Sequence, residues 1–399
     1  MRILLCLLSD QHVPNLISVH HFRPDQLILV ETQKMKSDGT AKRLLAALAE
    51  GGLNYGLGEN AHVETLNHED SLHDVSQTVK AAFRRFPSDD WIVNVTGGTK
   101  PMSIGTFQFF HNLDAELVYV NNARPETILW LDGSREQTCS YLPRIKEWLL
   151  GYGFRVNKTD TKLDQAQARA QRTWECARLL AESASPSDLV LWNDDERRRA
   201  RNKGIELLPS HQSELMLRAD IRRSLSLTFG LQDDGDRLSG GLDEYGARFL
   251  AGEWLDVFFW GLLTRLSGSI AVSDVRIGLE VVGQDGANNE FDVTFMHRHQ
   301  LCMIECKSGA QEHDLGTEIL YKIEAVMRQF RAIRIRKILA TTSPSVFQPG
   351  TEQIRPPLAA RSQLYECTIV THPMIRQLAL SVDAPMRVAE ILGLRSSTA

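Results

Sequence analysis

Strand-like and helix-like patterns alternate along the first third of the chain, and this alternation constrains the fold more than any other feature. Apolar runs of strand length end in polar loops, and helical segments that stop at glycine or proline lie between them. Strands are predicted at 2–8, 26–32, 91–95, 115–121 and 127–131, and helices at 40–50, 70–86 and 101–112. This order predicts a mostly parallel, doubly wound sheet of the α/β class.

The length of 399 residues is too great for one compact core, and the pattern of the sequence changes at two places along the chain. Residues 1–150 carry the alternating pattern, residues 151–240 are polar and mostly helical, and residues 241–399 form a second α/β domain. Within the middle part, the composition of residues 233–241 predicts a flexible linker. We therefore expect two folded domains joined by a helical connector.

The net charge argues against one class of protein, and one arginine-rich segment allows two interpretations. The formal net charge of -5 argues against a generally basic nucleic-acid-binding surface, although a local basic channel is compatible with it. Residues 196–203 are rich in arginine and allow two interpretations, contact with phosphates or a solvated helix face. Composition alone favours the solvated face.

Cysteine usage and the N-terminal residues bear on the compartment. The six cysteines include no CxxC pair, so neither a zinc ribbon nor a disulfide framework is predicted. The apolar run at 3–8 is too short to span a membrane, and no small-residue cleavage site follows it. We expect a cytoplasmic protein without membrane contact.

The second α/β domain has the predicted order α-β-β-β-α-β. Its elements are a long apolar helix at 243–266, strands at 275–282, 290–297 and 301–308, a helix at 314–331 and a strand at 336–342. The strands at 290–297 and 301–308 form a predicted hairpin. Alternation places Asp292 on one face, and Glu305 and Lys307 on the same face of the neighbouring strand.

Two carboxylates and a lysine therefore project from adjacent strands. Twelve residues separate Asp292 from Glu305, and one residue separates Glu305 from Lys307. Paired carboxylates hold hard divalent cations through oxygen, and a neighbouring lysine can orient the attacking water and offset charge on phosphorus. These residue types predict metal-dependent hydrolysis of phosphodiesters, with Mg²⁺ or Mn²⁺ as the metal.

Three further acids are candidates for the same site. Glu253 and Asp256 are three residues apart and lie on one face of the preceding helix. Asp256 is favoured as a third metal ligand over a plain surface acid, whereas the surface interpretation is favoured for Glu253. Glu290 shares the face of Asp292 and is a further candidate ligand.

This arrangement resembles the PD-(D/E)XK nuclease fold over roughly residues 242–370. The resemblance implies that Asp292 and Glu305 are metal ligands, that the backbone carbonyl of Cys306 is a further ligand, and that Lys307 is the catalytic lysine. Asp256 stands where many members carry glutamate. The side chains of Cys302 and Cys306 are predicted to pack in the core.

A second candidate site follows the predicted strand at 91–95. The loop sits where a parallel strand ends and a helix begins, so free N–H groups and the helix dipole favour anions there. Its glycines allow close backbone approach to a phosphate, and Lys100 supplies positive charge. The GxxxxGK[ST] and GxGxxG motifs are absent, which disfavours triphosphate hydrolysis and NAD binding.

The first domain resembles the CRISPR-associated Rossmann-fold (CARF) sensor domain over roughly residues 1–140. In that family two subunits pair, and a cyclic oligoadenylate lies across their two-fold axis. The resemblance implies that these residues bind the cyclic oligoadenylate: Ser9, Asp10, Gln11, Thr96, Gly97, Gly98, Thr99, Lys100, Pro101, Met102 and Ser103.

A CARF domain followed by a PD-(D/E)XK domain is similar to the ancillary nucleases of type III CRISPR defence, the Card and Can group. The resemblance implies a homodimeric nuclease that cyclic oligoadenylate activates, by analogy cyclic tetra-adenylate, and that cleaves single-stranded DNA, RNA or both, or nicks supercoiled DNA. Two alternatives remain open. One is a sensor or scaffold whose nuclease fold is inert, and the other is an endonuclease that needs no ligand.

Overall fold

The computed structural model describes residues 1–88, 90–121, 124, 126–184, 188–283, 286–309, 320 and 335–394. The chain forms two compact units. The N-terminal unit consists mainly of residues 1–156, and the C-terminal unit mainly of residues 157–281, 288–309 and 335–394. None of the described helices combines the length and hydropathy needed to span a bilayer.

The N-terminal unit is built on one sheet with the order β3-β2-β1-β4-β5-β6-β7. Its strands are β1 (Arg2–Leu7), β2 (Gln26–Glu31), β3 (Ala61–Thr65), β4 (Asp90–Asn94), β5 (Ala115–Val120), β6 (Thr127–Trp130) and β7 (Glu136–Thr138). Strands β1 to β5 pair in parallel, whereas β6 and β7 add antiparallel edge strands. The predicted doubly wound sheet is confirmed, with β3 as a strand that periodicity missed.

Helices cover both faces of this sheet. They are α1 (Val13–Phe22), α2 (Gln33–Ser37), α3 (Thr40–Glu50), α4 (Leu72–Arg85), α5 (Lys100–Phe110) and α6 (Ile145–Gly151). Alternate residues of β1 enter different cores: Leu4 and Cys6 belong to one, and Ile3 and Leu5 to the other. Burial on both faces explains why the strand reads as a continuous apolar run. The short strand β8 (Arg155–Val156) follows α6.

The first part of the C-terminal unit is mostly helical. Its elements are α7 (Asp160–Glu182), α8 (Asp194–Lys203), β9 (Ile205–Leu207), 3₁₀ turns at Pro209–His211 and Glu214–Leu217, α9 (Ala219–Phe229), β10 (Gln232–Asp233) and β11 (Leu238–Leu242). Trp174 and Leu225 share one core with Phe258 and Ile304. The stretch predicted as a connector is therefore packed into the core of the C-terminal unit.

The flexible linker predicted at 233–241 is wrong. Strands β10 and β11 pair antiparallel across these residues, and β11 pairs with β9. Leu238 is fully buried, and Arg222 donates from Nε to Asp233 Oδ1 at 2.7 Å. Aspartate and glycine signal a turn, and here the turn belongs to a hairpin that a buried leucine and an ion pair hold in place.

The long helix predicted at 243–266 is interrupted. The structure has α10 (Glu244–Arg248), a π-helical turn (Phe249–Glu253) and α11 (Trp254–Arg265) in this stretch. The interruption falls at Gly252, whose φ of 140° no regular helix contains. Short π-helical turns of this kind are frequent at functional sites.

The second sheet of the C-terminal unit contains, in spatial order, β16-β15-β14-β13-β12. These strands are β12 (Val272–Val282), β13 (Asn288–His297), β14 (Gln300–Lys307), β15 (Arg336–Thr341) and β16 (Cys367–Val370). A 3₁₀ turn at Pro344–Val346 and three helices follow β15: α12 (Pro356–Leu364), α13 (His372–Leu380) and α14 (Pro385–Ile391).

The β13–β14 hairpin is confirmed, with Val293 opposite Ile304 in an antiparallel pair. Strand β15 then pairs parallel to β14, as the predicted crossover requires. The helix predicted at 314–331 lies outside the described residues, except for Leu320, which is buried. The class predicted from sequence, α/β in both domains, is confirmed.

Candidate functional site

The acidic site lies at one end of the β13–β14 hairpin. Val293 and Ile304 point into the core, as alternation predicts. The opposite face is also covered along most of its length, since Thr294 is fully buried and Met303 is 5% exposed. The hairpin therefore offers its polar side chains to solvent mainly where Asp292 and Lys307 stand.

Contacts across the hairpin hold these side chains in fixed positions. Asp292 Oδ2 accepts the backbone N–H of Cys306 at 2.7 Å and lies 3.8 Å from Lys307 Nζ. Lys307 Nζ is 2.7 Å from Glu305 Oε1 and donates to the backbone carbonyl of Cys306 at 3.1 Å. The ammonium group is thus surrounded by three oxygen acceptors, and its position is well defined.

Helix α11 brings Asp256 to the same place. One carboxylate oxygen of Asp256, one of Asp292 and the sulfur of Cys306 all lie within 4.8 Å of one another. The π-helical turn supports this approach, because Ser308 donates from Oγ to the carbonyl of Gly252 at 3.3 Å. A Cβ at Gly252 would lie only 2.5 Å from that hydroxyl oxygen, so this contact requires glycine.

Burial and mutual repulsion shift the protonation of this group. Burial, reinforced by Glu305, raises the pKa of Asp292 to about 6. Burial and the charges of Asp292 and Glu253 raise the pKa of Asp256 well above its ordinary value. Burial lowers the pKa of Lys307, but the surrounding carboxylates outweigh it, and the net pKa is raised. Two buried carboxylates repel each other when both are ionised, and a bound cation would compensate their charge.

The donor set fits a hard divalent metal. Asp256 and Asp292 supply carboxylate oxygens, the ligands that Mg²⁺ and Mn²⁺ prefer. Burial and the adjacent acids raise the pKa of the Cys306 thiol, which disfavours the thiolate that zinc would need. The sequence-predicted packing role of Cys306 agrees with its 7% exposure.

Two predicted metal ligands, Glu305 and Glu290, lie farther from the centre of the site than Asp256 and Asp292 do. Glu305 is held by Lys307 and, among the described residues, is not one of those that line the cavity beside Asp256 and Asp292. Glu290 does line the cavity, but its side chain is 61% exposed and pairs with Lys158 at 3.4 Å. The structure thus brings Asp256 and Asp292 into contact range and leaves Glu290 at the rim.

The cavity above these acids has a volume of about 370 Å³. Cations also line it, and the sequence analysis missed most of them: Lys158, Arg169 and Arg248, with Arg201 from the basic run. Arg198 of that run is 76% exposed and is not among the residues that line the cavity, whereas Arg201, although also exposed, does line it. No local signal separates the two arginines, because only the tertiary structure places Arg201 at the cavity.

In the N-terminal unit, the two predicted ligand loops lie side by side. Strands β1 and β4 are parallel neighbours at the point where the strand order reverses, and ligands bind at such points in open α/β sheets. Ser9, Asp10 and Gln11 follow β1, and the loop from Thr96 follows β4. A Cβ at Gly97 would lie 2.0 Å from the carbonyl oxygen of Leu7, so glycine permits this close approach.

A buried polar network supports the second loop, and the sequence analysis did not predict it. Asn94 donates from Nδ2 to Asn15 Oδ1 at 3.1 Å and to Ser18 Oγ at 2.9 Å. Thr96 donates from Oγ1 to Asn94 Oδ1 at 2.6 Å and accepts the N–H of Val120 at 2.7 Å. The sequence analysis places Asn94 within a strand and gives it no role, although a buried asparagine in a strand indicates a hydrogen-bonding partner.

The loop then enters α5 through a helix cap. Thr99 Oγ1 accepts the N–H of Met102 at 3.4 Å, and Ser103 donates from Oγ to the carbonyl of Gly97 at 3.2 Å. Lys100 is exposed, whereas the side chain of Met102 is fully buried and supports the loop from below. Among the predicted ligand-binding residues of this loop, Lys100 is exposed, and Gly98 and Pro101 are partly exposed.

Two family models match the chain. The Card1 CARF domain matches residues 3–146, and the Card1-like endonuclease domain matches residues 243–355. The fold and the two sites define a CARF-domain nuclease, with a sensor domain followed by an endonuclease domain. This chain belongs to the Card and Can group of type III CRISPR ancillary nucleases.

Solved structures support the fold over the full length. Can2 from Sulfobacillus thermosulfidooxidans in complex with cyclic tetra-adenylate is 20% identical, with a TM-score of 0.66 over 98% of this chain and 99% of that one. Protein VC1899 from Vibrio cholerae is 15% identical, with a TM-score of 0.73 over 97% and 98%. A type III CRISPR defence DNA nuclease activated by cyclic oligoadenylate is 19% identical, with a TM-score of 0.50 over 90% of this chain and 51% of that one. A search of the curated proteins found no match.

Proposed function

We propose that this protein is a metal-dependent nuclease that cyclic oligoadenylate activates and that cleaves DNA, RNA or both. One observation carries the proposal: Asp256, Asp292 and Lys307 meet in a cavity of the unit that matches an endonuclease domain, in a chain that also has a CARF domain. The substrates considered are single strands and supercoiled DNA, and the proposed location is the cytoplasm, where a defence nuclease meets invading nucleic acid.

The chain's own residues suggest how the site works. Asp256 and Asp292 would hold Mg²⁺ or Mn²⁺, with Glu305 and the carbonyl of Cys306 as proposed further ligands. When bound, the metal polarises the phosphate as a Lewis acid. Lys307 is held protonated by its carboxylate neighbours, so its ammonium offsets the charge that develops on phosphorus. Glu305 orients Lys307 through their 2.7 Å contact.

The activator is proposed to be cyclic tetra-adenylate, which is the ligand in the Can2 complex. Its phosphates would meet the loops after β1 and β4, with Lys100 as the exposed cation and the start of α5 as an anion-favouring end. A ring with two-fold symmetry fits a site that two copies of the loop form together, so a homodimer is part of the proposal.

An inert nuclease fold is the second candidate, and the electrostatics of the site speak against it. Keeping Asp256 and Asp292 buried together costs stability, and a protein without a metal to bind would gain by replacing either one. A ligand-independent endonuclease would give no role to the loop after β4, which Gly97 allows to approach the Leu7 carbonyl at the end of β1.

A cleavage assay tests the proposal. Supercoiled plasmid and labelled single-stranded RNA and DNA are incubated with Mn²⁺, alone and with cyclic tetra-adenylate or cyclic hexa-adenylate. Cutting that requires one of the rings supports the proposal and identifies both activator and substrate. Equal cutting without a ring indicates the ungated endonuclease, and ring binding without any cutting indicates the inert sensor.

A further inference from the structure

Three arginines converge on the cavity from three different elements. Arg169 lies on α7, Arg201 on α8 and Arg248 on α10, and all three line the cavity that contains Asp256 and Asp292. None belongs to the β13–β14 hairpin or to α11, which carry the acids. The helical part of the C-terminal unit thus contributes these three arginines, here called the cationic wall, to a site whose acids come from the sheet and from α11.

Two of these three charges lack a carboxylate partner within the described ranges. In the part of the chain that the structure describes, no carboxylate forms an ion pair with Arg169 or Arg201. Arg248 has only a loose partner, Glu253, with 3.6 Å between Nε and Oε1. The Nε atoms of Arg169 and Arg248 are buried and have no hydrogen-bond partner among the described residues. Arg169 and Arg201 bring like charges to one cavity without ion-pair partners in the described chain, which is unfavourable unless an anion joins them.

The wall is also held in place. The guanidinium carbon of Arg169 lies 5.4 Å from the centre of the Tyr245 ring, which is a cation–π geometry. The Tyr245 hydroxyl is 2.7 Å from Thr173 Oγ1 on the same helix as Arg169. The ring therefore packs against the guanidinium and restricts its motion.

Phosphate is the anion that this geometry suits. A guanidinium presents a planar fork of N–H donors that matches two phosphate oxygens, whereas lysine binds as a point charge. The volume of about 370 Å³ leaves room for part of a nucleic-acid strand beside the acids. A negatively charged strand would otherwise be repelled by Glu253, Asp256 and Asp292, and the arginines offset that repulsion.

We propose that Arg169, Arg201 and Arg248 bind the phosphates of the substrate strand that flank the phosphate to be cleaved. This inference rests on the proposed nuclease function and deepens it. It assigns substrate binding to the helical part of the C-terminal unit, and chemistry to Asp256, Asp292 and Lys307. The contacts are to the backbone of the strand, so they add affinity without reading its sequence.

Strand binding measured at several salt concentrations tests this assignment. Protein is added to a labelled single-stranded oligonucleotide, and binding is followed by fluorescence anisotropy in the presence of Mn²⁺ and cyclic tetra-adenylate. The full-length Lys307→Ala protein serves as background, so that the strand stays intact. Arg169→Ala, Arg201→Ala and Arg248→Ala are compared singly and together. The matched control is Arg198→Ala, an exposed arginine on the same helix as Arg201.

We expect each cavity substitution to weaken binding several-fold and the triple variant to weaken it by roughly 100-fold or more, with a shallower dependence on salt. Each lost phosphate contact should reduce the slope of log K against log salt by about 0.7 for a single strand. Arg198→Ala should match the background. Arg201 is exposed, so its single variant is expected to fold and keeps the test valid if the variants of the half-buried Arg169 and Arg248 do not.

Two results would overturn the inference, and they differ from a failure of the proposed function. If the parent binds the strand while the Arg201→Ala and triple variants bind it like Arg198→Ala with an unchanged salt slope, the arginines are not phosphate ligands although the nuclease assignment stands. If the unmutated protein neither binds nor cuts any strand with the ring present, the proposed function fails, and the inference fails with it.

Discussion

The backbone N–H of Cys306 donates to Asp292 Oδ2 at 2.7 Å, so the backbone of one strand of the hairpin orients the carboxylate of the other. The same oxygen lies 3.8 Å from Lys307 Nζ. A carboxylate that a backbone donor holds loses little entropy when a cation or substrate binds, since its orientation is already set. This contact is the structural basis for the first two predictions.

Replacing Lys307 should separate chemistry from sensing. Lys307→Ala removes the ammonium group that Glu305 and the Cys306 carbonyl position, and single-turnover cleavage should fall about 10²- to 10³-fold or more. Cyclic tetra-adenylate binding, measured by calorimetry, should change less than about two-fold because Lys307 belongs to the C-terminal unit. Lys203→Ala, at the exposed end of α8, should leave both quantities unchanged. Cleavage at the wild-type rate in Lys307→Ala would refute the role assigned to this lysine.

The acids should make the metal-free protein sensitive to pH. Because the pKa of Asp292 is raised to about 6 in the folded state, the fold binds this proton more tightly than the unfolded chain does. Ionising Asp292 therefore destabilises the metal-free fold as pH rises from about 4 to about 6, by at most about 3 kcal/mol. Asp292→Asn should consequently be more stable than wild type at pH 7.5 in the presence of a chelator.

Urea unfolding at several pH values measures this effect. The stability advantage of Asp292→Asn should grow mainly between about pH 4 and about pH 6 and level off above about pH 7, where the carboxyl group is almost fully ionised in the fold as well. Saturating Mn²⁺ should remove or reverse the advantage, because the metal stabilises only the intact site. An advantage that does not vary with pH, or a less stable Asn variant, would contradict the buried-charge interpretation.

Lys100 should contribute affinity for the activator without contributing to the fold. It is exposed at the start of α5, where an anion would lie. Lys100→Ala should raise the Kd for cyclic tetra-adenylate about ten-fold or more and weaken the salt dependence of binding, with Tm unchanged. Lys42→Ala, another exposed lysine of the same unit, is the control and should bind normally. Equal Kd values for the two variants would remove Lys100 from the site.

Gly97 should be required for ligand binding because the loop after β4 approaches the end of β1 closely at this residue. An added Cβ would lie 2.0 Å from the Leu7 carbonyl oxygen, so Gly97→Ala must push the β4 loop away from β1 at a cost of about 1–3 kcal/mol. Gly133→Ala is a matched control, since its φ of 73° strains an alanine by about 1–2 kcal/mol while nothing lies near the added carbon. We expect both variants to lose stability but only Gly97→Ala to lose ring binding in calorimetry.

Elements with a clear local period were predictable from the sequence. Strands such as β1 and β4, buried on both faces, read as apolar runs, and the alternation in β13 and β14 placed Asp292 and Lys307 at one end of one hairpin. Elements without such a period were missed or misassigned. Strand β3 has one fully buried residue, and the predicted linker at 233–241 is a hairpin held by Leu238.

The candidate site shows the same division. Asp292 and Lys307 were predictable because a strand repeats every two residues and a hairpin has a defined register. Asp256 was a weaker prediction, since its approach depends on the π-helical turn at Gly252 and on the contact with Ser308, fifty-six residues away. Arg169 and Arg248 carried no local signal at all.

By itself, the sequence of this protein determined the two α/β domains, the glycine-rich loop after β4 and the acid-and-lysine hairpin, because backbone periodicity and turn chemistry act over a few residues. Only the tertiary structure decided that Asp256 meets Asp292, that Arg201 rather than Arg198 faces the cavity, and that Met102 lies beneath its loop. Those relationships depend on how distant elements pack against one another, and packing is set by the shape of the whole core rather than by the pattern of any one segment.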